Sequence, residues 1–183
     1  MNILILNGNR DAANRPFDRY ISSLVKELSG RGHLARAMTL REMDIRYCTG
    51  CWSCWLKTPG ECIHRDDMVP VYRAIMASDL VFFASPLVMG FVSALTKRAN
   101  ERLVALIHPY LALAQGECHH RGRYDRYPGL GLILGKGPDA DDEDVRITTD
   151  IYRRDAINFL SSLRATFLTD RPVKEVCDEI DAL

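Results

Sequence analysis

The sequence has no surplus of either charge: Lys+Arg and Asp+Glu both number 24 over 183 residues. Without a basic excess there is little to engage a nucleic acid or an anionic membrane, and neither partner is expected. Long apolar runs are missing too. The strongest, Leu80-Val81-Phe82-Phe83-Ala84, is far shorter than a membrane span. Met1 leads straight into Asn2-Ile3-Leu4-Ile5-Leu6 with no basic segment or cleavage site before it, so no signal peptide is expected. A reducing, cytoplasmic setting follows from that reading. No internal repeat and no linker composition divides the chain, which predicts one domain over residues 1–183.

Cysteine, by contrast, is concentrated. Cys48, Cys51, Cys54 and Cys62 fall within the run CTGCWSCWLKTPGEC. In a reducing compartment such spacing favours metal binding or thiol chemistry over structural disulfides. The CxxCxxC pattern differs from the paired knuckles of structural zinc and is closer to ferredoxin-type ligation. Three readings stay open: an iron–sulfur cluster on these four residues, redox-active thiols, or structural thiols. Cys177 falls on the apolar face of a C-terminal helix and reads as core. Cys118-His119-His120 reads as a polar surface segment, because adjacent residues diverge and rarely ligate one ion together.

Strand and helix signals alternate along the chain. Residues 2–6 are apolar without alternation, as in a strand covered on both faces. Phe17, Tyr20, Ile21, Leu24, Val25 and Leu28 share one helical face, with Pro16 at its start and Gly30 and Gly32 at its end. A second strand is predicted at 34–40, then a helix capped by Asp66 that carries Met68, Val71, Tyr72 and Ile75. Residues 80–84 form a strand closed by Ser85-Pro86, and a long helix is predicted over 90–107. A loop-rich stretch is expected at 108–128 and a fourth strand at 129–135. The acidic run at 139–144 opens another helix, and a short strand (165–169) and a terminal helix finish the chain. Five strands alternating with five helices predict a doubly wound parallel sheet in the order 2-1-3-4-5. Such sheets bind ligands beyond the carboxyl ends of their strands, where the order reverses. That points to the loops 7–16, 85–90 and 135–138, with 47–65 alongside.

At those loops the chain resembles the flavodoxin-like, NAD(P)H-dependent FMN reductase superfamily. Asn7-Gly8-Asn9 is similar to its phosphate loop, and Ser85-Pro86-Leu87-Val88-Met89-Gly90 followed by Ser93-Ala94-Leu95-Thr96-Lys97 to its flavin-ring loop and helix. CTGCWSCW with the later Cys62 and Asp66-Asp67-Met68 resembles the cysteine-bearing branch that includes iron–sulfur flavoproteins. The phosphate loop departs from the family in carrying Arg10, Asn14, Arg15 and Pro16 where Ser or Thr hydroxyls usually stand. Val88 and Met89 stand where an aromatic often faces the flavin.

The resemblance implies FMN as cofactor, NAD(P)H as electron donor and a small-molecule acceptor such as a quinone, nitro compound, flavin or metal ion. It also implies a homodimer. Gly8, Asn9, Arg10, Asn14, Arg15, Pro16 and Phe17 would then hold the phosphate, through amide donors and guanidinium charge. Ser85, Pro86, Leu87, Val88, Met89 and Gly90 would wall the ring. The alternatives are an iron–sulfur flavoprotein electron carrier with a four-iron four-sulfur cluster on the four cysteines, and a flavin-free interaction protein on the same fold. No acid–base triad is expected, since hydride transfer needs none.

Overall fold

The computed structural model describes residues 1–183. The chain runs β1 (Asn2–Asn7), α1 (Arg15–Gly30), β2 (Leu34–Thr39), α2 (Ser53–Leu56), α3 (Met68–Met76), β3 (Leu80–Val88), β4 (Phe91–Val92) and α4 (Ala94–Arg102). It continues through β5 (Ile107–Ala114), β6 (Glu117–Gly122), β7 (Gly129–Gly135), α5 (Asp142–Asn158), β8 (Leu163–Leu168) and α6 (Val173–Asp181). The parallel strands lie in the order β2-β1-β3-β7-β8, the predicted 2-1-3-4-5 winding.

Each inner strand sends alternate side chains to opposite faces, and both faces are covered, which is why these runs are apolar without interruption. Ile3, Ile5, Phe82, Ile133 and Phe167 pack with Phe17, Leu24, Val176 and Cys177 of α1 and α6. On the other face Leu4, Leu6, Val81, Phe83 and Leu132 meet Val71 and Ile75 of α3, Ala99 of α4 and Tyr152 of α5. Asp141 and Asp144 form a reciprocal capping box at the start of α5, so the acidic run is a helix start as read.

Three expectations are corrected. First, β3 does not close at Ser85-Pro86; it runs on to Val88, with Pro86 beside Gly135 of β7. It then folds back through Met89-Gly90, both left-handed (φ 51° and 77°), onto the antiparallel β4. A two-residue turn with both φ angles positive matches the twist of a hairpin. Second, the helix predicted from residue 90 starts only at Ala94, where the Ser93 side chain accepts from the Thr96 N–H at 3.1 Å. It ends at Arg102 and tightens into a 3-10 turn over Leu103–Leu106. Third, residues 108–128 are not mainly loop. They hold the β5–β6 hairpin, turned by Gln115-Gly116 with φ 53° and 80°. Its strands leave no clear signal in the sequence because their exposed side chains carry no clean apolar alternation.

Candidate functional site

Two cavities carry chemistry-bearing residues. The first, of about 450 Å³, opens at the carboxyl ends of β3, β7 and β8, beside the start of α1. Asn14, Pro16, Phe17 and Tyr20 line one side, Pro86 and Leu87 a second, and Gly135 to Pro138 with Thr169 a third. This size suits a cofactor or drug-sized ligand. Of the loops expected from topology, 7–16, 85–90 and 135–138 contribute lining residues, whereas 47–65 contributes none.

The β1–α1 loop is braced from within. Asn9 is buried; its side-chain amide donates to Asn14 O and to Asp18 Oδ1, each at 3.1 Å. Asn7 donates to the same carboxylate at 2.8 Å, and Arg41 pairs with it at 3.0 Å. Burial alone would raise the Asp18 pKa, but these donors hold it below the usual carboxylate range. The first turn of α1 has little left to offer an anion. The Arg15 N–H bonds Ala13 O, Pro16 has none, and the Phe17 N–H faces the Asn14 side chain at 3.4 Å. Free donors lie just upstream: the backbone N–H groups of Arg10 and Ala12 have no protein acceptor. The Arg10 and Arg15 guanidiniums, both on the surface, engage no carboxylate.

Gly8 faces inward. Its N–H donates to Ala84 O at 2.8 Å and its carbonyl accepts from Ser93 Oγ at 2.6 Å. A Cβ built there would lie 1.8 Å from Thr96 Oγ1, so the missing side chain makes room for α4. Ser85 is fully buried, its hydroxyl accepting from the Ser93 N–H at 2.8 Å. Pro86 and Leu87 reach the cleft, whereas Val88 and Met89 project from the hairpin, Met89 being 97% exposed. Gly90 abuts Asp144 of α5, whose carboxylate would lie 2.6 Å from any Cβ there.

Tyr20, Lys136 and Thr169 also line the cleft, and no sequence motif marks them as site residues. Tyr20 reads in sequence as part of the core face of α1. Its hydroxyl is buried with no hydrogen-bond partner, and burial pushes its pKa up to about 12.

The second cavity, of about 310 Å³, brings all four clustered cysteines together: Cys48, Cys51, Cys54 and Cys62 line it, with Trp52, His64 and Arg102. Gly50 and Trp52 adopt left-handed backbone (φ 63° and 57°), which wraps the segment around the space. For a bulky residue such as Trp52 that conformation is uncommon. The cysteines are all free, and no three Cys, His, Asp or Glu side chains converge closely enough to hold a single ion. They ring a volume instead of meeting at a point. Burial, then the neighbouring Cys62, Cys48 and Cys51, raise the Cys54 pKa. Hydrogen bonds from the Ser53 side chain and backbone lower that of Cys51. His64 Nε2 is buried without a partner at the same wall.

Arg102 anchors this loop. Nearly fully buried, it pairs with Asp66 at 2.8 and 3.1 Å and donates to Arg46 O at 2.8 Å. Asp66 in turn accepts from the N–H groups of Arg46 and Met68. One ion pair therefore ties both ends of the cysteine segment to the end of α4. Asp66 thus serves the start of α3 from one residue further out than a cap. Cys118, His119 and His120 diverge as expected, but on a strand and not all at the surface: Cys118 is exposed, His119 is buried beside Asn158 and His120 packs at a tilt against Trp55.

A doubly wound sheet with a ligand-sized cleft beyond the carboxyl ends of its strands places the chain in the class of open α/β folds whose ligands bind at that edge. Within it, a model of the NADPH-dependent FMN reductase family matches residues 1–123, and the chain belongs to that family. It is 34% identical over 90 residues to an iron–sulfur flavoprotein of Archaeoglobus fulgidus, covering 49% of this chain and 40% of that protein. A second protein of that name from the same organism is 28% identical over 102 residues, covering 56% of this chain and 48% of the relative. This chain thus spans less than half the length of either. An iron–sulfur flavoprotein of Methanocaldococcus jannaschii is 27% identical over 186 residues, covering 97% of this chain and 84% of that one. Among solved structures, an NADH:FMN oxidoreductase in its apo form superposes with a TM-score of 0.59 at 12% identity, covering 99% of this chain and 87% of the other. An FMN-dependent NADH-azoreductase of Bacillus anthracis in complex with FMN gives 0.57 at 14% identity, covering 98% and 93%. At such identities the structural likeness establishes the fold. No helix is long and apolar enough to cross a membrane.

Proposed function

We propose that this protein is an FMN-dependent NAD(P)H oxidoreductase that reduces a small acceptor. The observation that carries the reading is the 450 Å³ cleft beyond the carboxyl ends of the parallel strands, lined from α1, β3, β7 and the segment after β8. FMN bound there would take a hydride from the nicotinamide and pass electrons on singly or in pairs. The chain's own residues need only hold it. Arg10 and Arg15, with the free N–H groups of Arg10 and Ala12, would neutralise and bond the phosphate. Pro86 and Leu87 give an apolar wall, and the ring of Tyr20 lines the opposite side. Because the first turn of α1 is self-capped, anion binding rests on the loop and its guanidiniums.

The second cavity favours one elaboration of this reading. Four thiols around a common volume, with the unpartnered His64 Nε2 beside them, fit a four-iron four-sulfur cluster better than a single ion. The relatives called iron–sulfur flavoproteins support the same view. Cys48, Cys51, Cys54 and Cys62 would be the ligands and His64 a hydrogen-bond donor to sulfur.

A homodimer in the cytoplasm completes the proposal. Exposed apolar side chains on the two hairpins, Met89 at 97% and Leu113 at 83% exposure, are available to such an interface. The deciding experiment is an absorption spectrum of anaerobically purified protein, with extracted-flavin, iron and sulfide analysis and a solution mass. The expected outcome is one FMN and four irons per chain in a dimer. Protein without flavin, unable to bind added FMN at micromolar concentration, would overturn the oxidoreductase. Flavin without iron would remove the cluster alone, and a monomeric mass the dimer alone.

A further inference from the structure

A third cavity is larger than either of these two. It is a groove of about 660 Å³ between α3, the Gly60–Asp66 segment and Tyr124. Helix α3 turns Val69, Tyr72, Arg73 and Met76 toward it, residues at i, i+3, i+4 and i+7 and so on one face. Leu106 extends the apolar floor, and the half-exposed Tyr124 forms a wall. Arg65 and Arg73 stand at its rim, both exposed, and neither takes part in an ion pair or a side-chain hydrogen bond. Of the two carboxylates in the lining, Asp66 is neutralised by Arg102 behind it, leaving Glu61 against two free guanidiniums. Cys62 lines both this groove and the four-thiol cavity, so one residue separates the two volumes.

We propose that this groove binds a flat organic anion, an aromatic ring system bearing a sulfonate or carboxylate, with the ring on Val69, Met76, Leu106 and Tyr124 and the charge between Arg65 and Arg73. Guanidiniums suit such a ligand because they pair with planar oxyanions through two hydrogen bonds and also stack on rings. Resting on the oxidoreductase reading, the occupant is the electron acceptor, a quinone anion held one side chain from the thiols. One NAD(P)H, one proton and the quinone then yield NAD(P)⁺ and the hydroquinone.

The test is calorimetric titration of the purified protein with anthraquinone-2-sulfonate, which has no electrophilic ring carbon to alkylate a thiol. Its uncharged counterpart 2-(hydroxymethyl)anthraquinone serves as control. Binding of one sulfonate per chain is expected, about tenfold weaker in Arg65→Ala and in Arg73→Ala. The uncharged compound should bind weakly to all three proteins alike. Equal sulfonate affinity in the wild type and both variants would overturn the assignment, as would displacement of the sulfonate by FMN, which would put the ligand in the other cleft. Flavin is quantified in the same samples. Arginine-dependent binding by a protein that cannot hold FMN would leave the groove standing as a binding site and sink only its part in electron transfer.

Discussion

At the scale of single residues, Gly8 shows how a motif glycine can be legible while its reason is not. The sequence places it in a phosphate loop, where a bare backbone suggests close approach of an anion. The structure shows its α-carbon pressed against the buried Thr96 at the start of α4. Gly8→Ala should therefore destabilise the fold by about 1–3 kcal/mol, as overpacking of a close contact does. Relief should come from shaving the neighbour: Gly8→Ala with Thr96→Ala should cost less than the sum of the single changes, by about 0.5 kcal/mol or more. Urea denaturation of the four proteins gives the cycle, and strict additivity would show that the two residues do not compete for space. Arg10 and Arg15 were legible as charge, and Tyr20 was not. Its spacing serves the core face of α1 and nothing local announces that its hydroxyl lacks a partner.

At the scale of elements, the buried strands and amphipathic helices could be read because two-sided burial and one-sided burial leave different apolar periods. Failures cluster where polar residues or proline sit in strands. Pro86 hid the last turns of β3, and the exposed Tyr, Leu, Cys and Arg positions hid the β5–β6 hairpin. The cysteine segment was legible as a cluster of ligand types, but its gathering around one cavity depends on Arg102, forty residues downstream of Cys62. That guanidinium and Asp66 are both nearly inaccessible, at 1% and 2% side-chain exposure. Burial would raise the Asp66 pKa, yet the Arg102 hydrogen bonds and the N–H groups of Arg46 and Met68 bring it down to about 2 from an ordinary 3.8. A folded-state pKa below the unfolded one adds stability that is complete above the unfolded value and is lost as pH falls through the folded value. The contribution, about 2 kcal/mol, should therefore disappear between about pH 4 and pH 2. Asp66→Asn should flatten that part of the stability profile. Arg102→Met should cost about 3–5 kcal/mol near neutral pH, since it strands a buried carboxylate. An Asp66→Asn protein with the wild-type acid dependence would show that the pair does not set it.

At the scale of the whole molecule, helix α4 joins the two proposed cofactor sites. Its first turn is fixed to Gly8 and Ser85 through Ser93 and Thr96, and its last residues, Glu101 and Arg102, face the four thiols. A helix of this length separates its ends by roughly 13 Å at 1.5 Å per residue. The two cavities share no lining residue. Damage to either site should therefore remain local, because each is built from its own loop on a rigid sheet and α4 has no reason to move when one side chain is pared. Cys54→Ser, the most buried of the four clustered positions, tests this most severely. Serine fits the same space with a poorer ligand atom, so iron and sulfide should fall several-fold in anaerobic preparations while FMN stoichiometry and affinity stay within about twofold of wild type. Arg15→Ala, an exposed change at the other end, should weaken FMN by about tenfold and leave iron content unchanged. The reciprocal pattern, with flavin leaving alongside the Cys54 thiol, would mean that the thiols belong to the flavin site and that α4 couples what the geometry keeps apart.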